Sequence, residues 1–397
     1  MTTPRGTYLD TASSEPLHPA ARAVLEQALD RGYADPRRLH GPSRDARLLL
    51  DNAREVTADA LGVRPDEVSF TPSGTHAVHL GVLGLLAGQA RHGDLLVATA
   101  VEHSAVMHAG RWHADRGGRF ETLPVDATGR VLEESRGATV LCVQSANHEV
   151  GTLQPVTALA AATDAPVFMD ACASAGRLPL PEGWSAAAAS AHKWGGPAGV
   201  GVLLVRKGAR WRNPFPADDR VDERTTGMEN VPAVLAAAAA LQAVVAERDE
   251  VNARQAALVD RLRAGLAAVP DTDVVGDPVG RLPHLLTASF LYVDGEAVVT
   301  ELDRRGFSVA SGSACTSSAL QPSHVLAAMG ALTHGNIRIS LGRDTSTEEV
   351  DRLLRELPDV VAQIRKDAGL TTPPASSSPP LRSSAEQPGG GPGVMGP

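Results

Sequence analysis

An α/β fold is what this sequence predicts, with a large domain on a mostly parallel sheet followed by a smaller α+β domain. Three observations carry the prediction. From residue 67 onward, short apolar runs alternate with helical stretches, the pattern of parallel strands joined by helices. Residues 231–270 then read as one long helix, a bridge into a second unit. Beyond that bridge, strand and helix patterns mix over a shorter span. The expected division is a large domain at residues 1–245 with an extended entry segment, a small domain with a cysteine-bearing loop at 246–370, and a tail at 371–397. The tail is rich in Pro, Ser and Gly, so it has too little apolar area to offset its ordering entropy and is expected to be disordered.

The elements follow in order. "TYLDTASSEPLHP" is the extended entry. "PAARAVLEQALDRG" has an early Pro and closes on Gly32, and "SRDARLLLDNAREVTADALG" has Ser43 as its expected N-cap and Gly62 as its stop. The strand "EVSFT", the helix "HAVHLGVLGLLAGQA", the strand "DLLVATA" and a short helix come next. After these stand "ATVLCVQSA", "PVTALAAAT", "PVFMDA", "AAAASA" and "GVGVLLVRKG". Past the long helix, "LLTASFLYV" and "NIRISLG" read as strands, and "GEAVVTELDRRG", "PSHVLAAMG" and "TEEVDRLLRELPDVVAQIRKDAG" as helices.

Composition narrows the function classes. A net charge of −9 argues against nucleic acid or an anionic membrane as the main partner. No run of eighteen apolar residues marks a membrane span, and "MTTPRGTYLD" lacks the apolar core of a secretory signal. Three unpatterned cysteines, Cys142, Cys172 and Cys315, exclude a disulfide scaffold and suit a reducing cytoplasm. No third ligand accompanies His76 and His79, so no metal is expected.

Of 37 basic residues only Lys193, Lys207 and Lys366 are lysines, leaving 34 arginines. Such a chain keeps a lysine by chance or where the chemistry needs an amine that can lose its proton. Lys193 stands in "SAHKWGGPAGVGVLLV", between a small-residue strand and a glycine turn, with Ser190 and His192 beside it. That is the setting of a Schiff-base lysine. Asp170 ends the apolar run of "VFMDACASAG", 23 residues earlier. It reads as a helix cap or as a partner for a pyridinium nitrogen. In "FTPSGTHAVHLG" a Ser-Gly-Thr turn opens a helix and offers its N–H groups to a phosphate. Neither a P-loop nor a dinucleotide-binding glycine motif occurs. Cys315 sits in "SGSACTSSAL", among residues that build no core, where a Gly/Ser loop supplies reach and access. Cys142 and Cys172 read as small buried hydrophobes.

Together these segments resemble the class V aminotransferase family of fold type I pyridoxal-phosphate-dependent transferases, and within it the cysteine desulfurases. "EVSFTPSGTHAVHLG", "AVEHSAVMHA", "QSANHEVGTLQPV", "MDACASAG", "SAHKWGGPAGVGVLLV", "GMENVPAVLAA", "SGSACTSSALQPSHVL" and "NIRISLG" match by type, spacing and order. The resemblance runs to about residue 368. It implies that Lys193 binds pyridoxal 5'-phosphate, that Asp170 holds the pyridinium nitrogen, and that His103 stacks on the ring. Gly74, Thr75, Ser190 and His192 would bind the phosphate, and Asn147 would lie near cofactor and substrate. Arg338 would hold the substrate carboxylate, and Cys315 would be the nucleophile on a mobile loop. Taken singly, His103 also reads as a helix-start histidine, Asn147 as a turn residue and Arg338 as an edge-strand charge.

The implied reaction converts L-cysteine to L-alanine, with the sulfur carried as a persulfide on Cys315 to an acceptor protein. That acceptor would be an iron–sulfur scaffold, a tRNA thiolation enzyme or a TusA-like carrier. A homodimer is implied, with the segment around Met228 reaching the neighbouring site. Selenocysteine lyase or another class V activity, and a cofactor-retaining sulfur-relay or scaffold subunit, remain as alternatives. Four positions depart from the family pattern. Ala173 stands where a Gln usually contacts the ring hydroxyl, and Met228 where a Thr often reaches the partner's phosphate. His148 makes the usual Asn-Asn-Glu an Asn-His-Glu, and His76 replaces a Glu.

Overall fold

The computed structural model describes residues 6–132, 137–216, 218, 222–311 and 322–369. The entry segment forms a short strand, β1 (Thr7–Tyr8), and two helices follow, α1 (Pro19–Leu29) and α2 (Gly41–Leu61). The second begins before the expected cap. His40 is its N-cap, Pro42 occupies the first turn, and the Ser43 hydroxyl bonds the His40 ring instead. Its stop is as read: Gly62 takes the left-handed conformation that a Cβ disfavours.

The large sheet comprises β2 (Val68–Thr71), β3 (Leu95–Thr99), β4 (Arg119–Leu123), β5 (Val140–Gln144), β6 (Val167–Asp170), β7 (Ala186–Ser190) and β8 (Gly201–Val205). Between these strands run α3 (Gly74–Gln89), α4 (Ser104–Ala114) and α5 (Val156–Ala161). The strand order is β2-β8-β7-β6-β5-β3-β4, and all neighbours are parallel except the two pairs that include β8. Strand β4 was not foreseen. It lies at the sheet edge with most side chains toward solvent, so "RFETL" has no apolar run to announce it. Central strands, buried on both faces, read as continuous apolar runs. Helix α3 lies against this sheet so closely that a Cβ on Gly81 would stand 2.3 Å from the Phe168 ring.

The long helix α6 (Val231–Ala267) is a single element. Its first half, to Leu241, joins the core beneath the sheet, and residues from Leu258 onward join a second core. It is long and apolar enough to cross a membrane, and half of its apolar window is buried against the rest of the chain. After α6 come β9 (Thr272–Val275), β10 (Leu285–Phe290), α7 (Gly295–Arg304), β11 (Phe307–Ser308), α8 (His324–Ala328), β12 (Asn336–Ser340) and α9 (Thr347–Asp367). Of these, β10, α7, β11, β12 and α9 build the second core, whereas Val325 and Leu326 of α8 pack in a separate cluster with Val101, Val150 and Val275. Strands β12-β10-β9 form an antiparallel sheet, and β11 pairs with β1. Strand β9, "TDVV", is half polar and was also not foreseen.

The entry segment straps both parts together. The Thr11 hydroxyl donates to the Leu341 carbonyl, and the Glu15 and His18 amides donate to the His192 and Gly195 carbonyls. A buried salt bridge, Arg177 to Glu15, fastens the same segment.

A polar knot ties the ends of β3 and β5. The Val101 carbonyl accepts from the side-chain amides of Gln144 and Asn147. One Glu102 oxygen accepts from the Thr99 hydroxyl and the Gln144 amide, and the other has no partner among the described residues. Burial pushes the Glu102 carboxyl up to about 8 from an ordinary 4.5. The proton is thus held in the fold and lost from the unfolded chain over that interval. Stability contributed by Glu102 is complete below pH 4.5 and is lost as pH rises toward 8, at about 1.4 kcal/mol per pH unit. Glu102→Gln removes that titration. The urea midpoint of the variant should fall less between pH 5 and 8 than that of the parent chain, and parallel pH profiles would refute this.

Candidate active site

The parallel strands end on one edge, and the candidate residues gather there. Asp170 closes β6, and Ser190 closes β7 just before a short turn of 3-10 helix that carries His192 and Lys193. His103 follows β3, and the Ser73-Gly74-Thr75 turn joins β2 to α3. These residues, with Gln144, Ala146, His148, Cys172 and Ala173, enclose a cavity of about 170 Å³.

At one side stands the N-terminus of α3. The Ser73 hydroxyl accepts from the His76 amide, and the Gly74 and Thr75 N–H groups have no intrahelical acceptor by construction. A Cβ on Gly74 would lie 2.6 Å from the Ser190 Cβ, so only glycine lets the turn approach that strand end. The Ser190 hydroxyl lies 3.1 Å from His192 Nδ1. Burial, with Lys193 adding to it, holds the His192 imidazole below its ordinary range. Two hydroxyls, two backbone donors and a helix N-terminus make a site for an anion.

The amine and the carboxylate line the same cavity. Lys193 Nζ donates to the Ala12 carbonyl of the entry segment. Asp170 is 6% exposed, and one of its oxygens accepts from the Cys172 amide at 2.9 Å. His103 stands at the start of α4, where the helix-start reading puts it. It caps α4, its Nδ1 accepting from the Ala105 amide, and its ring lines the cavity. With Nδ1 an acceptor, the neutral ring carries its proton on Nε2. Burial lowers its basicity, against the pull of Asp170.

Two of the expected residues lie off the cavity wall. Asn147 does not line the cavity. Its oxygen accepts from the Glu149 and Val150 amides and its nitrogen donates to Val101, so the turn consumes it. Arg338, on β12 at the edge of the small sheet, is not on the cavity wall either. It donates to the His148 carbonyl, to the Ser13 hydroxyl and to the Asp10 carboxylate. Its Nε is buried without a partner among the described residues. Cys315 lies outside the described residues. The flanking residues are anchored near the site. Ala310 exchanges backbone hydrogen bonds with Arg338, and the Ser323 hydroxyl donates to the Glu149 carboxylate at 2.8 Å. Burial pushes that carboxyl up to about 7.

Reading the chain alone missed Cys172, Gln144 and Ser73 as wall residues. Cys172 held a signal, being two residues beyond Asp170. Its thiol is raised well above the ordinary range by burial and by Asp170, so it stays protonated. Cys142, fully buried in β5, is raised likewise by burial.

The fit to pyridoxal phosphate is good on this geometry. A carboxylate, an amine, a flat imidazole and an anion cradle face one enclosed space, and the small Gly74 keeps the cradle open.

Comparison with known proteins agrees. Residues 7–353 match the family model described as Aminotransferase class-V. The chain is 36% identical to cysteine desulfurase NifS of Azotobacter vinelandii, over 90% of this chain and 93% of the relative. It is also 36% identical to the IscS-like cysteine desulfurase of Mycobacterium tuberculosis, over 91% of this chain and 98% of the relative. Among solved structures, a NifS-like protein is similar with a TM-score of 0.82 and 26% identity, over 90% of this chain and 100% of that one. DndA from Streptomyces lividans is similar with a TM-score of 0.71 and 27% identity, over 84% and 99%. By sequence, by fold and by the residues that meet at the sheet edge, the chain belongs to the class V aminotransferase family and, within it, to the cysteine desulfurases.

Proposed function

We propose that this enzyme takes L-cysteine to L-alanine with pyridoxal phosphate bound at Lys193, and passes the sulfur through Cys315 to an acceptor protein. Cysteine desulfurases are pyridoxal phosphate enzymes. The observation that carries the reading for this chain is the meeting of Lys193, Asp170, His103 and the α3 N-terminus around one cavity.

Each residue has a task that its surroundings suit. Gly74, Thr75, Ser190 and His192 hold the phosphate through N–H and O–H donors. Asp170, fixed by the Cys172 amide, would accept from the pyridinium nitrogen and favour its protonated form. His103, neutral and held by its cap bond, covers the ring face. Lys193 carries the cofactor and moves protons at the substrate carbon. When bound, pyridoxal phosphate supplies the electron sink for bond changes at that carbon. The family resemblance assigns the substrate carboxylate to Arg338, whose guanidinium the Asp10 carboxylate and the His148 carbonyl hold just off the cavity wall. The substrate C–S bond breaks as the Cys315 sulfur takes up the substrate sulfur. Alanine and a persulfide are the products, and atoms balance without an oxidant.

Three outcomes test this. Borohydride reduction of the loaded protein and peptide mapping should place the adduct on Lys193, and an adduct on Lys207 would refute the assignment. Cys315→Ser should keep the visible band while alanine and persulfide formation fall on the order of a hundredfold or more, because a hydroxyl is a far weaker nucleophile than a thiolate. Persulfide at the parental level in that variant would remove Cys315 from the reaction. The loaded protein should sediment as a homodimer at micromolar concentration, with the Met228 segment at the neighbouring site, and a loaded monomer would contradict it.

A further inference from the structure

Behind Ala173 the wall of the site holds two histidines to which the reaction above gives no task. His148 is 9% exposed and His284 is 2% exposed. Both line a void of about 10 Å³ together with Ala173, Lys193, Arg177 and Thr11. Each has its ring Nδ1 buried without a hydrogen-bond partner among the described residues. An unmet buried polar atom costs about 1–3 kcal/mol, so two on one small wall call for a shared partner. His148 also lines the main cavity beside Lys193, with its ring edge-on to His103 at 4.9 Å between centres.

Charge and size define that partner. Burial holds both imidazoles well below their ordinary range. The neighbouring groups His103, Arg338, Lys193 and His324 add to this at His148, and Arg177, Arg338 and Lys193 do so at His284. Both rings are therefore neutral at pH 7, each with one N–H and one bare nitrogen. A void of about 10 Å³ is the smallest that accommodates one water, and a water needs two to four polar partners. The two rings provide two partners, and Lys193 lines the same void. Thr11 and Arg177 also line a cleft of about 410 Å³ between the entry segment and α6, so the void has a source of water separate from the main cavity.

We propose that His148 and His284, joined through one water in the void behind Ala173, are positioning residues that set which protonation state the Lys193 nitrogen holds. The inference rests on the reading of Lys193 as the cofactor-bearing residue. Ala173 is the condition for it, since a longer side chain there would fill the void.

The test uses two substitutions that alter no charge, His284→Leu and Ala173→Gln. The first removes one end of the chain, and the second fills the void while keeping both histidines, so a folding failure of one leaves the other. The readout is the pH titration of the visible band of the loaded protein without substrate, after borohydride mapping of Lys193. Each substitution should move the midpoint by about one pH unit, the size of a single hydrogen bond. An unmoved midpoint in both, with the adduct on Lys193, overturns the inference alone. An adduct elsewhere overturns it together with the cofactor assignment. Histidine nitrogen spectra of the unloaded protein give a second readout. Both rings should stay neutral near neutral pH, and a His148 or His284 signal titrating at an ordinary midpoint of about 6.5 overturns the inference.

Discussion

Parallel strands discharge their ends on one edge, and everything at the site depends on that constraint. Register then decides which residues meet. Gln144 pairs with Asp170 across β5 and β6, and Asp170 pairs with Ala188 across β6 and β7. Gln144 and Asp170 line the cavity, and so do Ala146, Cys172 and Ser190, two residues beyond Gln144, Asp170 and Ala188. A slip of one residue in any of these pairings would send the Asp170 side chain to the other face of the sheet. The apolar faces of β5, β6 and β7, buried on both sides, hold the register against such a slip.

A second constraint is that the edge is dry, so its polar atoms must find partners. The knot of Thr99, Val101, Glu102, Gln144 and Asn147 satisfies backbone and side-chain groups where two strands end. Burial without full compensation raises the carboxyls of Glu102 and Glu149 and lowers the imidazoles of His103 and His148. The region thus holds carboxyls that keep their protons far above the usual carboxylate range and imidazoles that give theirs up easily. In such surroundings Asp170 and Lys193 act more strongly on a bound group than they would in water. The same dryness leaves the Nδ1 atoms of His148 and His284 unmatched on one small wall.

The entry segment links the site to the second core. It carries the Ala12 carbonyl that Lys193 meets, the Asp10 carboxylate that Arg338 meets, and Glu15, which pairs with Arg177. Its extended form follows from pairing with β11 and β12, elements some 300 residues away in the chain. Lys193, Arg338 and Arg177 are thereby held by one strap.

Sequence by itself determined the elements whose burial pattern is local. Central strands read as apolar runs, Gly62 ended α2, and the Ser-Gly-Thr turn announced the start of α3. It also determined the scarce lysine and the carboxylate that meet in the cavity, because residue types with few alternative uses stand out in composition and order. Tertiary structure alone decided the rest. Strands β4 and β9 lie outside the apolar code because an edge or half-exposed strand is stabilised by backbone pairing rather than by its side chains. Asn147 and Arg338 have side chains able to serve a ligand or a turn, and only their neighbours, Val101 and Asp10, select the use. His148 and His284 stand 136 positions apart in the sequence, and no local pattern joins them. Their meeting at Ala173 depends on the packing of the small sheet against the large one, a contact that exists only once both cores have formed.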